Sequence, residues 1–150
     1  MDKVYRTELS PVAFLRRNAY VHPDKTAVVH GAQSFSYAQF AERVHRLTSA
    51  LRATDLEKHQ RVAFLAPNIP PLLEAHFAVP AAGGVLVAIN TRLNSSEIEY
   101  ILQHSGARML FVDRELYPQV ADLDLSALQV IEIHDTDAPD DPYETFIAAG

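Results

Sequence analysis

The sequence predicts an α/β protein whose main sheet is parallel, with helices on its faces and a helix and small hairpin in front of it. Three observations carry that expectation. Val62-Ala63-Phe64-Leu65-Ala66, Val85-Leu86-Val87-Ala88-Ile89 and Met109-Leu110-Phe111-Val112 are continuous apolar runs, and Val130-Ile131-Glu132-Ile133 is a fourth, weaker one. Strands that are apolar on both faces belong in a covered sheet, usually a parallel one. The segments between the runs are long enough for crossover helices, so the order strand, helix, strand repeats as right-handed βαβ units.

The elements follow in order. Ser10 before Pro11 reads as an N-cap with proline at the first helical position. Val12, Leu15 and Ala19 share one face of that helix, with Arg16 and Arg17 outside it. The helix ends before Pro23, because the residue preceding proline avoids α geometry. Thr26-Ala27-Val28-Val29-His30 and Gln33-Ser34-Phe35 flank a Gly31-Ala32 turn and form a hairpin. Ser36, with Gln39 three residues on, makes a capping box for a long helix. Phe40, Ala41, Val44, Leu47, Thr48 and Leu51 keep its 3.6-residue period, while Glu42, Arg43, Arg46 and Arg52 fall mainly on its wet side.

Asn68 is placed to cap a helix bearing Leu72, Leu73 and Phe77. Pro70 and Pro71 fit its first turn, and Pro80 must kink or end it. Asn94, with Glu97, opens a helix through Ile98, Ile101 and Leu102 that Gly106 stops. A further helix is expected over 116–123, and a last one from Asp141-Pro142-Tyr143-Glu144. The acidic stretch 135–141, with Pro139, is an exposed loop. Residues 1–57 therefore hold the helix, hairpin and long helix, 58–134 the βαβ units, and 135–150 a loop and terminal helix.

Composition narrows the function. At 150 residues, 48% hydrophobic, the chain suits one domain with a real core. A net charge of −6 argues against nucleic acid, which needs a basic face, and against an anionic membrane surface. There is no cysteine, which excludes disulfides, thiol nucleophiles and cysteine metal sites. Charges interrupt the first eight residues, so they do not read as a secretory signal. No apolar run approaches the roughly 20 residues of a membrane span. Ala148-Ala149-Gly150 is not a peroxisomal address. The compartment expected is the cytoplasm, or the peroxisome if a C-terminal signal has been lost.

Catalytic constellations are not legible. The five glycines form no phosphate-cradling loop with a nearby Lys and Ser/Thr, and Gly83-Gly84 precedes a strand rather than following one. The seven histidines have no metal-ligand spacing. His76 reads as a core or interface residue and His104 as a charge near a helix C-terminus. Asp113, just after a strand, reads as a loop or cap residue without a glycine fingerprint beside it. The candidate site is Asn90, Thr91 and Arg92, after the strand 85–89, because ligands of open α/β sheets gather at strand C-termini. Arg92 there suits a carboxylate or phosphate. The alternative is that Arg92 pairs with an acid and Asn90 closes a turn.

Several stretches then resemble adenylate-forming acyl-CoA synthetases, the AMP-dependent synthetase/ligase family. They are His22-Pro23-Asp24-Lys25-Thr26-Ala27-Val28-Val29, Phe35-Ser36-Tyr37-Ala38-Gln39-Phe40, Arg61-Val62-Ala63-Phe64-Leu65-Ala66-Pro67-Asn68, Leu73-Glu74-Ala75-His76-Phe77-Ala78, Ala88-Ile89-Asn90-Thr91-Arg92-Leu93 and His104-Ser105-Gly106-Ala107-Arg108. Together they look like the medium-chain fatty-acid type, in the family's order and over nearly the whole chain. The resemblance implies that a carboxylic acid attacks ATP, with Mg2+, to give an acyl-adenylate that coenzyme A converts to a thioester. It also implies a large N-terminal domain, of which this chain is an incomplete portion. The family's phosphate loop, its magnesium-serving glutamate, its ribose-binding aspartate and its C-terminal lysine have no match here, so no catalytic residue carries over. The expected partners are the missing C-terminal segments of a synthetase, or a second copy through exposed apolar surface and a strand edge. The competing readings are a non-catalytic remnant that acts as a protein-interaction module, or part of a biosynthetic acyl-activating enzyme. The pathway and the acyl substrate are not legible.

Overall fold

The computed structural model describes residues 10–136 and 138–150. The first residues, read above as no secretory signal, lie outside them, as does Asp137 in the acidic loop. The chain divides into two compact units, one up to Ala41 and one over Glu42–Gly150.

In the first unit, α1 (Pro11–Val21) buries Leu15 and half-buries Val12 and Ala19, leaving Arg16 and Arg17 in water. Ser10 precedes it in extended geometry, but its hydroxyl makes no cap bond. Proline at the helix start removes one of the donors such a bond would serve. Strands β1 (Thr26–His30) and β2 (Gln33–Ser36) pair antiparallel, with Val29 opposite Ser34 and His30 opposite Gln33. Gly31 turns the chain at φ 57, a left-handed conformation open to glycine. Helix α2 (Tyr37–Ala53) begins with the expected capping box: Ser36 Oγ accepts from Gln39 N (3.3 Å) and Gln39 Oε1 from Ser36 N (2.8 Å).

The second unit takes up α2 from Glu42 and adds the sheet. Strands β3 (Arg61–Leu65), β4 (Val85–Ala88), β5 (Ala107–Asp113) and β6 (Gln129–Ile133) are all parallel, in the order β4-β3-β5-β6. Helix α3 (Pro70–Ala82) carries the chain from β3 outward to β4, and α4 (Ser95–Ser105) carries it back past β3 to β5. Right-handed crossovers running in opposite directions lay their helices on opposite faces. One face packs Ala63, Leu65, Leu110 and Val112 against Ile98 and Leu102 of α4. On the other, Phe64 stacks on Phe111 (centroids 4.4 Å apart), and Tyr143 and Phe146 of α5 (Pro142–Ala148) meet Phe111 edge-on.

Local chemistry explains the boundaries. Helix α4 has both halves of its capping box, Asn94 Oδ1 to Glu97 N (3.1 Å) and Glu97 Oε2 to Asn94 N (2.9 Å). It ends on Gly106 at φ 59. Asp141 caps α5 by accepting from Tyr143 N.

Four expectations need correction. The acidic stretch 135–141 is not exposed throughout: Asp141 is buried because its carboxylate caps α5 and holds the loop, and Asp135 is half-buried. The cap of α3 is Ile69 rather than Asn68, and no side chain caps it. Pro70 and Pro71 lack two of the N–H groups a cap would satisfy, so the helix starts on prolines alone. Over 116–123 there is only a 3-10 turn, Tyr117–Gln119. Val120 N and Leu123 N each bond three residues back, to Tyr117 O and Val120 O, so the segment advances by successive tight turns. Finally, Arg43 is not on the wet side of α2: its side chain is largely buried and pairs with Glu74 and Glu144.

Candidate functional site

All four parallel strands end at one edge, where the fold places ligands. The loops there start at Ala66 after β3, Ile89 after β4, Arg114 after β5 and His134 after β6. Strands β3 and β5 are neighbours whose following segments leave in opposite directions, so the topological switch point lies between them. Pro67-Asn68 and Asp113-Arg114 flank that point. Asn68 and Arg114 are exposed. Asp113 is nearly buried and holds its own loop: Oδ1 accepts from Glu115 N at 2.8 Å. Burial pushes its carboxyl above the ordinary aspartate value.

The residues singled out from sequence lie one strand away, after β4. Asn90 Oδ1 accepts from Arg92 N at 3.0 Å, and Leu93 N bonds Asn90 O, so Asn90 closes an Asx turn. Thr91 O receives Gln119 Nε2 at 3.5 Å, which ties this turn to the loop after β5. Arg92 is exposed. Asp141, almost fully buried, fixes the loop after β6 by accepting from His134 N, Thr136 N and Thr136 Oγ1 as well as Tyr143 N.

The strongest polar cluster lies under one helical face, and sequence reasoning missed it. Arg43 Nε reaches Glu74 Oε1 at 2.5 Å, and its Nη1 and Nη2 grip both oxygens of Glu144 at 3.0 and 2.5 Å. Tyr143 donates its hydroxyl to Glu74 Oε2 at 2.5 Å. Glu74 and Tyr143 are completely buried, and the side chains of Arg43 and Glu144 are 14% and 18% exposed. Burial opposes the Arg43 charge, but hydrogen bonds and the two carboxylates more than offset it and leave its pKa raised. Burial likewise pushes Glu74 up against the pull of Arg43, and pushes Tyr143 well above an ordinary phenol. The signal available in the sequence was Glu74 itself, in line with the buried Pro71, Ala75 and Ala78 of α3 rather than with exposed Leu73. These groups bond one another, so the cluster ties α2, α3 and α5 together.

No group of three or more His, Asp or Glu able to hold a metal occurs among the described residues. His76 is exposed with Nδ1 2.8 Å from Leu72 O, and His104 stacks on Tyr100. No described helix is long and apolar enough to cross a membrane.

The sequence profile of the AMP-binding enzyme family matches residues 15–148. The chain belongs to that family. It is 44% identical over 111 residues to an acetate–CoA ligase of Humulus lupulus, covering 74% of this chain and 20% of the relative. It is 38% identical over 140 residues to a peroxisomal benzoate–CoA ligase of Arabidopsis thaliana, covering 87% and 24%. Among solved structures, a benzoate CoA ligase from Burkholderia xenovorans LB400 matches with a TM-score of 0.77 and 29% identity, covering 93% of this chain and 28% of that one. The anthranilate CoA ligase AuaEII in complex with anthranoyl-AMP matches with a TM-score of 0.83 and 25% identity, covering 92% and 27%. The chain thus spans about a fifth to a quarter of the curated relatives' length. The α/β architecture read from the apolar runs is that of the N-terminal part of these adenylate-forming enzymes.

AMP-binding enzymes imply ATP and coenzyme A. The strand-end loops of this chain do not fit a triphosphate by themselves. Segments 66–69, 89–94, 113–116 and 134–141 contain no glycine, the residue that lets backbone N–H groups wrap closely around phosphate. In sequence, their arginines, Arg92 and Arg114, are outnumbered by Asp113, Glu115, Asp135, Asp137, Asp140 and Asp141.

Proposed function

We propose that these 150 residues are the N-terminal scaffold of an acid–CoA ligase, which activates a carboxylic acid with ATP and Mg2+ and passes it to coenzyme A. The family match over 15–148, joined to a parallel sheet with both faces covered, is what carries this reading. Residues 1–57, 58–134 and 135–150 are then successive parts of one partial domain. The scaffold contributes a strand-end edge, and the remaining phosphate-handling groups come from polypeptide outside it. The acid is small: the relatives are named for acetate, butyrate and benzoate. The Asn90-Thr91-Arg92 turn is its candidate contact with a carboxylate or phosphate. The compartment is the cytoplasm or the peroxisome, the latter being where several relatives are named to reside.

A chimera tests this. Residues 1–150 replace the corresponding part of the hop acetate–CoA ligase, and thioester formation is measured. The reading predicts ATP- and coenzyme A-dependent turnover. A folded chimera with none would overturn it.

A further inference from the structure

Among the described residues, strand β6 pairs on one side only. Ile133 O accepts from Arg114 N on the β5 side. Backbone groups alternate sides along a strand, so Ile131 and Gln129 also face β5, and Val130 and Glu132 face outward. The next outward N–H, that of His134, is already taken by the Asp141 carboxylate. The open edge is therefore short and defined. It forms the floor of a trough of about 650 Å3, walled by Tyr117 on one side and by Pro142, Thr145 and Phe146 of α5 on the other. Two apolar walls about an unpaired edge are what an added strand requires, since its side chains alternate toward each wall.

Charge selects the occupant. Glu132 and Asp140 line the trough, no Lys or Arg does, and Asp135 follows the strand; Glu132 Oε2 also lies 3.2 Å from His134 Nε2 and keeps its other oxygen for an occupant. Arg114 stands at the strand's C-terminal end and is not part of the lining. A second copy would bring the same acids, and the chain as a whole carries −6. We propose that the β6 trough binds an extended polypeptide strand bearing Lys or Arg among apolar residues, supplied by polypeptide outside these 150 residues. Its backbone pairs with Val130 and Glu132, and its basic side chains meet Glu132 and Asp140. The inference rests on the edge and its charges, and stands whether or not the chimera above turns over.

The test uses the full chain and two capped peptides of alternating valine and either lysine or glutamate, with amide exchange and spectral shifts read by NMR. With lysine peptide at ten times its Kd, exchange at Val130 and Glu132 slows about tenfold. The glutamate peptide leaves both unchanged. Glu132→Lys weakens the lysine peptide about tenfold and admits the glutamate one; the wild-type comparison of the two peptides decides the question even if that variant folds poorly. Equal response to both peptides, protection confined to β4, or a peptide-free dimer protected at β6 would each overturn the proposal.

Discussion

Tyr143 and Glu74 show how much of the molecule hangs on single polar atoms. Tyr143→Phe removes one hydroxyl and leaves Glu74 Oε2 buried without its donor. The expected cost is about 1–3 kcal/mol, measured as a lower urea midpoint at unchanged slope. The same pair sets an alkaline limit. Because burial raises the Tyr143 pKa, the unfolded tyrosine ionises first as pH climbs past about 10. Stability is whole below that value and falls above it, since the unfolded state then binds fewer protons. Urea melts from pH 8 to 11 should show that fall in the wild type and a shallower one in Tyr143→Phe. Arg92 belongs to the opposite class. Being exposed, Arg92→Ala should change stability by less than about 0.5 kcal/mol, while lowering thioester formation by the chimera if the turn after β4 meets carboxylate or phosphate.

At the scale of elements, α4 offers the cleanest test. Its start depends on Asn94 and its end on Gly106. Asn94→Ala should cost about 1 kcal/mol through loss of the cap. Gly106→Ala places a Cβ 2.5 Å from Arg61 Nη2 in a left-handed backbone, and so disturbs the arginine that donates to Ser105 O and Gly106 O. The two sites flank an 11-residue helix and are about 18 Å apart along its axis, so their costs should add. Thermal melts of the two single variants and the double variant check this. Elements of this kind were legible in the sequence because their signals are local: a capping box needs residues three apart, and a buried parallel strand needs an unbroken apolar run. The turn at Tyr117–Gln119 was not, because Leu116, Val120 and Leu123 keep a helical spacing while the backbone bonds only three residues back. Arg43 was misplaced for a different reason. Its partners lie 31 and 101 residues away, and no periodicity within α2 records them. The candidate site was legible only as a place. Strand ends could be located from the apolar runs, but the switch point required the order β4-β3-β5-β6, which adjacency in sequence does not give.

At the scale of the whole molecule, the sheet of the second unit is covered on both faces, and its openings are edges and strand ends. The faces are closed by contacts within the chain, Phe64 to Phe111 to α5 on one side and the α4 cluster on the other. The strand ends carry no glycine and more acid than base, which leaves Arg92 and Arg114 as their only arginines or lysines. Scaffold and chemistry are separable on the proposed reading: the fold is present in the described residues, and the groups that handle a nucleotide are expected from other polypeptide. Carboxylate-dependent ATP–pyrophosphate exchange by the purified chain, with acetate, butyrate and benzoate as acids, measures that separation directly. The account predicts no exchange above the protein-free rate with any of them. Clear exchange by the pure chain would contradict it.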